Sequence, residues 1–286
     1  MVEPEPDGPF EIFRPKFERQ LAMDAFAALP SGHPMVALLE LDVTLALDAI
    51  AALRRDGTRV SLFSFLVRSI AVAIAEHPDL NLVRHGRRLV RFEDVDVSVP
   101  VEVMTPDGHF PREIVIRRAH QRSPAEIYAA IEAARVRYRK TGSASAEDRW
   151  PRHVMHLLRL FPRFVRVGLM RLLMRSAFTV KRRAGTTLVT SVGKFAAIPG
   201  FAFTFSTGPR AAVFAIGSVV EKPWIVADRV EPRSILGLSI MVDHDLVDGA
   251  PAARFAARLR QLVESGAGLL DEQPDASGEA SGGAAA

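Results

Sequence analysis

Residues 233–250 constrain the chain more than any other stretch. Residues 233–242 (RSILGLSIMV), rich in Ile, Leu, Met and Val, form a strand candidate. It runs into Asp243-His244-Asp245-Leu246-Val247-Asp248-Gly249-Ala250. Beyond that, Phe255, Leu259, Leu262 and Val263 recur at helical spacing, and Gly266 supplies a stop. The order is therefore strand, turn, amphipathic helix, with His-x-x-x-Asp-Gly on the turn. A histidine there is held rigidly yet stays accessible. Its imidazole can take a proton from a thiol or hydroxyl at neutral pH, whereas the bland alternative is a hydrogen-bonded structural histidine.

The remaining segments alternate helices and strands. Residues 15–29, with Phe17, Leu21, Phe26 and Leu29, predict a helix, and residues 35–43 a strand. Thr44 is the expected N-cap of a helix through Arg54. Residues 61–76, apolar on most sides, predict a buried helix. Val95, Val97, Val99, Val101 and Val103 alternate with polar or small residues, the period of a half-buried strand. Residues 112–117 form a further strand candidate, and residues 124–139 an amphipathic helix capped by Ser123. Residues 142–148 are small and polar, a flexible joint; residues from 271 on are too rich in Gly, Ala, Ser and Glu to pack.

Composition narrows the class. A chain of 286 residues with 48% hydrophobic content can bury a sizeable core. The absence of cysteine excludes disulfides, a thiol nucleophile and Cys-ligated zinc, and fits a reducing cytoplasm. Residues 1–8 are acidic and Pro-rich, unlike a secretory signal, and no apolar run reaches bilayer length. A cytoplasmic globular protein is expected.

The net charge of +4 is unevenly spread, because no Asp or Glu occurs between Arg149 and Val220. Residues 149–183 are strongly apolar and strongly basic together. They predict two short helices separated near Pro162, since proline there interrupts a helix. Leu157, Leu158, Leu160 and Phe161 crowd the first; Leu169, Met170, Leu172, Leu173 and Met174 the second. One reading packs this insertion on the domain with its arginines in solvent. The other makes it an interfacial pair meeting anionic lipid or a fatty substrate, with Trp150 at the boundary. No nucleic-acid-binding motif accompanies the charge.

Taken in order, four segments resemble the catalytic domain of the 2-oxoacid dehydrogenase acyltransferases, within the chloramphenicol acetyltransferase-like superfamily. A helix ending in the family's Pro-x-Leu-Asn turn matches His77-Pro78-Asp79-Leu80-Asn81. Its Gly-Thr-Phe-Thr-Ile-Ser-Asn-Leu-Gly strand resembles Gly185-Thr186-Thr187-Leu188-Val189-Thr190-Ser191-Val192-Gly193. Its Ile-Leu-Gly-Val-Gly strand resembles residues 212–217, and its Asp-His-Arg-Val-Val-Asp-Gly-Ala matches 243–250 except at Asp245 and, conservatively, Leu246. The resemblance implies an α/β two-layer sandwich with a mixed sheet flanked by helices. Its domain would span 14–268, with the basic insertion at 141–184, an N-terminal extension at 1–13 and a disordered tail at 269–286.

What the resemblance implies about chemistry is specific. The reaction would be acyl transfer between coenzyme A, or acyl-coenzyme A, and a thiol or hydroxyl on a small-molecule or carrier acceptor, with no metal. His244 would be the general base. Thr190, or its neighbour Ser191, would donate to the oxyanion where the family has serine. Asp248 would be structural, paired with Arg14 or Arg19, and Gly249 would permit a tight turn. The assembly would be a homotrimer or larger, with His244 from one subunit and the hydroxyl from the next.

Two departures stand out. No lipoyl domain, peripheral-subunit-binding segment or Ala/Pro-rich linker is visible, so no swinging arm is expected in this chain. The family's Gly-Leu-Val-Val-Pro-Val strand is poorly matched by residues 108–113, and Asp245 replaces its arginine, implying an altered channel. The rival expectation is a degenerate acyltransferase fold kept as a membrane-surface or partner-binding scaffold.

Overall fold

In the computed structural model the described residues are 11, 15–105, 108–141, 158–193, 199–204 and 206–269. The expected joint at 142–148, the tail beyond 269, Arg14, Trp150 and Leu157 lie outside them. Helix α1 (Phe17–Ala28) leads into edge strand β1 (Pro34–Asp42) and helices α2 (Thr44–Arg55) and α3 (Leu62–Glu76). A small hairpin, β2 (Leu82–His85) and β3 (Arg88–Arg91), precedes β4 (Val97–Thr105), β5 (Gly108–Ile116) and α4 (Pro124–Thr141). After the basic segment, with helices α5 (Arg163–Met174) and α6 (Ala177–Ala184), come β6 (Thr187–Ser191), β7 (Ala212–Val226), β8 (Arg229–Asp243) and α7 (Gly249–Glu264).

Six strands form one mixed sheet in the order β1-β8-β7-β6-β4-β5, with β6 parallel to both of its neighbours. Helices α2, α3, α4 and α7 cover one face, as the apolar periodicity of 61–76 and 255–263 requires. Phe214 of β7 meets Phe255 of α7 with ring centroids 5.7 Å apart, and both are fully buried. Leu269 is fully buried too, so packed chain continues through it. On the opposite face residues 199–204 lie against β7 and β8. Gly200 O comes so close that a Cβ at Gly217 or Gly237 would sit 2.9 or 2.8 Å from it, which explains glycine at both positions.

Local expectations hold with four corrections. Ser61 and Ser123 cap their helices, each reciprocally with the residue three positions on, Ser64 and Glu126. Thr44 is the first helical residue rather than the cap, because the Asp42 carboxylate accepts its N–H at 2.9 Å and its hydroxyl at 2.6 Å. β4 starts at Val97, and where its side chains are described the expected alternation fails at Ser98, which is as buried as Val97 and Val99 and whose hydroxyl donates to Glu113 at 2.8 Å. The chain breaks at Pro162 as expected, yet a further helix, α6, follows α5. Finally, Arg166 is not in solvent. It is 8% exposed and donates from Nε to the buried Asp24 carboxylate of α1 at 2.7 Å, fastening α5 to α1.

Candidate active site

β8 delivers the catalytic candidate. Asp243 is its last residue, and the backbone N–H of His244 donates to His33 O at 2.9 Å. The N–H groups of Leu246 and Val247 donate to Asp243 O at 3.0 and 3.1 Å, closing the turn before α7. The His244 side chain is 52% exposed, and its Nδ1 lies 4.0 Å from Asp248 Oδ1, too far for a hydrogen bond but close enough for attraction once the ring is charged. Asp248 stands at the N-terminal end of α7, where the helix favours negative charge.

The expected arginine partner of Asp248 does not materialise among the described residues. The Asp248 side chain is 85% exposed, so no buried charge demands a cation there. Arg19 is exposed on α1, and Arg14 lies outside the described residues. Gly249 is also reassigned. Its φ is not in the left-handed region, and a Cβ there would meet nothing, so within this chain the turn does not require glycine.

The arginine the site uses is Arg84, from the β2 hairpin. Its Nη2 donates to Asp243 Oδ2 at 2.8 Å and to Asp245 Oδ2 at 2.7 Å, while its N–H donates to Pro209 O at 2.8 Å. Asp245 also contacts His33 Nδ1 at 2.8 Å. The hydrogen bond with His33 first, then the one with Arg84, holds the Asp245 carboxyl below its ordinary range. Burial works to lower the Arg84 pKa, but its bonds to Asp243 and Asp245 outweigh that and hold it above the ordinary value. Gly32 makes room for this clamp, since a Cβ there would stand 2.8 Å from Asp243 Oδ2. The aspartate that replaces the family arginine thus meets a guanidinium from a distant strand. Only the anomaly at Asp245 hinted at this; nothing local marks Arg84, which is 161 residues away.

Thr190 and Ser191 end β6 and face opposite sides of the sheet. Thr190 shares its face with Leu188, and Ser191 shares its face with Val189, which points into the core. Thr190 is level with Ala215 of β7 and, through it, Ser239 of β8, five residues before His244. Five residues of strand and two interstrand spacings put Thr190 and His244 about 20 Å apart within one chain. One chain therefore does not bring these two groups together. β5 carries the 108–113 segment expected to line the channel, but the side chains of 108–111 lie outside the described residues. Among the described residues no group of three or more His, Asp or Glu side chains could hold a metal ion.

A model of the 2-oxoacid dehydrogenases acyltransferase (catalytic domain) family matches residues 28–148 and 181–270, leaving out the basic stretch between them. The dihydrolipoyllysine-residue acetyltransferase component of the pyruvate dehydrogenase complex of Zymomonas mobilis is 23% identical over 242 residues, 80% of this chain and 45% of that protein. The lipoamide acyltransferase component of the branched-chain alpha-keto acid dehydrogenase complex of Bacillus subtilis is 23% identical over 214 residues, 74% and 41% of the two chains. The chain thus spans under half the length of these relatives. A probable dihydrolipoamide acetyltransferase from Listeria monocytogenes superposes with a TM-score of 0.66 at 20% identity, covering 90% of this chain and 95% of the other. That likeness shows a shared fold, the two-layer α/β type expected from the sequence.

Proposed function

The chain belongs to the 2-oxoacid dehydrogenase acyltransferase (catalytic domain) family, and we propose that it moves an acyl group between a coenzyme A thioester and a thiol or hydroxyl acceptor. One observation carries this reading: the His244 imidazole is half exposed on a backbone fixed from both sides, with Nδ1 turned towards Asp248. Nε2 is then the atom that takes the acceptor's proton. The resulting thiolate or alkoxide attacks the thioester carbonyl carbon, and the Thr190 hydroxyl of a neighbouring subunit donates to the developing oxyanion. Collapse breaks the carbon–sulfur bond, and the coenzyme A sulfur takes the proton back from His244. The Asp248 carboxylate favours the transient imidazolium. The family's trimeric arrangement fits the separation of Thr190 from His244 in one chain, and the lack of cysteine fits a reducing cytoplasm.

His244→Ala tests the assignment. Transfer from acetyl-, succinyl- or branched-chain acyl-coenzyme A to dihydrolipoamide should fall by roughly two orders of magnitude or more, with folding little changed. Unchanged turnover would overturn the role of His244.

A second reading, a scaffold working at a membrane surface, is favoured by one observation. Phe164, Leu172 and Phe178 are 76%, 63% and 59% exposed, on helices bearing Arg163, Arg171 and Arg182, with Arg175 between them. No helix among the described residues is long and apolar enough to cross a membrane.

A further inference from the structure

Beside the Arg84 clamp lies a cleft of about 420 Å³ whose charged lining is Arg84, Arg171 and Arg175, with no carboxylate among the described lining residues. Behind it is a chamber of about 240 Å³, lined on its apolar side by Phe26, Met174, Val180 and Leu188. The two share Leu29, Met174 and Pro209 in their walls, so they adjoin. Charge is segregated between them. The cleft takes its positive charge from Arg171 and Arg175, Arg84 being paired with Asp243 and Asp245, whereas the chamber holds Arg210 and Glu113 within 4.0 Å of each other. Arg84, which lines the cleft, and Arg210, which lines the chamber and is 8% exposed, each have a buried Nε with no hydrogen-bond partner among the described residues. A buried unpaired donor is costly. Their volumes approach or fall within the usual size of small-molecule sites, about 300–1,000 Å³.

From this arrangement we propose that the cleft and chamber bind a single-chain anionic amphiphile, its carboxylate or phosphate head among Arg84, Arg171 and Arg175 and its aliphatic tail in the chamber. Bidentate pairing suits guanidinium to either head. Much of the site's lining lies outside the family match. Phe26, Arg171, Met174, Arg175 and Val180 all fall outside the residues matched by the family model. It accounts for the basic segment as the wall of a cavity, and it uses neither His244 nor Thr190.

The test is calorimetric titration of the intact chain with monomeric ligands below their micelle concentrations. Dodecanoate and dodecyl phosphate are the probes; methyl dodecanoate, butanoate and inorganic phosphate are the controls. At least one dodecyl anion should bind about tenfold or more tighter than the neutral ester, the scale of one charge-assisted contact. Butanoate and inorganic phosphate should bind weakly, because each lacks the tail. Preference for one dodecyl anion assigns the head as carboxylate or phosphate. Arg171→Gln with Arg175→Gln should weaken the anions and spare the ester. Met174→Trp should weaken dodecanoate more than butanoate, and His244→Ala should change nothing. Equal affinity for acid and ester in the unmodified chain would overturn the proposal, as would tight binding of inorganic phosphate alone.

Discussion

Arg84 meets Asp243 in an ion pair of 2.8 Å in which the carboxylate is 1% exposed. The same guanidinium nitrogen reaches Asp245, so one side chain fixes the residues on both sides of His244. Removing one partner of a buried pair leaves the other charge uncompensated, which costs about 3–5 kcal/mol. Arg84→Gln should therefore lower stability by about 3 kcal/mol in urea unfolding, at the low end because Arg84 is partly exposed. Adding Asp243→Asn should recover part of the loss. A single variant as stable as the parent would show that the clamp contributes nothing.

Much of the fold was legible because local pattern and tertiary burial agree. The α7 stripe of Phe255, Leu259, Leu262 and Val263 is buried throughout, and the 61–76 helix starts at the serine that caps it. His244 was legible because motif and element boundary coincide. The clamp was not, because it joins β2 to the end of β8 across 159 residues, and charge pairing at that range leaves no periodicity in a sequence. Arg166 deceived for a related reason. On a basic amphipathic helix every arginine looks solvated, and only packing against α1 shows that Asp24 lies beneath two of them, Arg163 and Arg166. The faces of Thr190 and Ser191 followed from strand alternation once the sheet was known; their distance from His244 needed the register of three strands.

That register makes a prediction about assembly. If the reaction needs both groups, it needs two subunits, because about 20 Å separates Thr190 from His244 in one chain. Thr190→Ala and His244→Ala chains should each be nearly inactive, and co-refolding them should restore part of the activity. Some interfaces would then contain both parental groups. Sedimentation of the active species should show more than one chain; full activity in a monomer would rule the arrangement out.

Asp245 supplies a pH dependence whose sign is fixed. Its carboxyl is held below its ordinary value by His33 and Arg84, so it binds a proton less readily folded than unfolded. Its stabilising effect is fully present above the unfolded value of about 3.9 and is lost as pH falls through the lower folded value. Asp245→Asn should thus destabilise the protein at pH 6, and the gap in urea midpoint should close below about pH 4. A gap that persisted unchanged at the acid end would show that Asp245 titrates as a free side chain.

The exposed face of the basic helices allows the scaffold reading to be tested without dismantling the fold. Leu160, Phe164 and Leu172 are 79%, 76% and 63% exposed, and no acid lies between Arg149 and Val220 to repel an anionic surface. Each basic residue near such a surface contributes about 1 kcal/mol, and salt screens the sum. Deleting the segment would be a poor test, because it would strip Arg166 from the buried Asp24 carboxylate and destabilise α1. Phe164→Glu with Leu172→Glu changes only the exposed face, placing like charge and polarity where lipid contact would occur. If this face meets membranes, the parent should co-sediment with phosphatidylserine-containing liposomes and not with neutral ones, and both salt and the paired substitution should release it. If the parent stays in the supernatant with both liposome types, the face has no lipid role, and the arginines of α5 act only on α1 and on the cleft behind it.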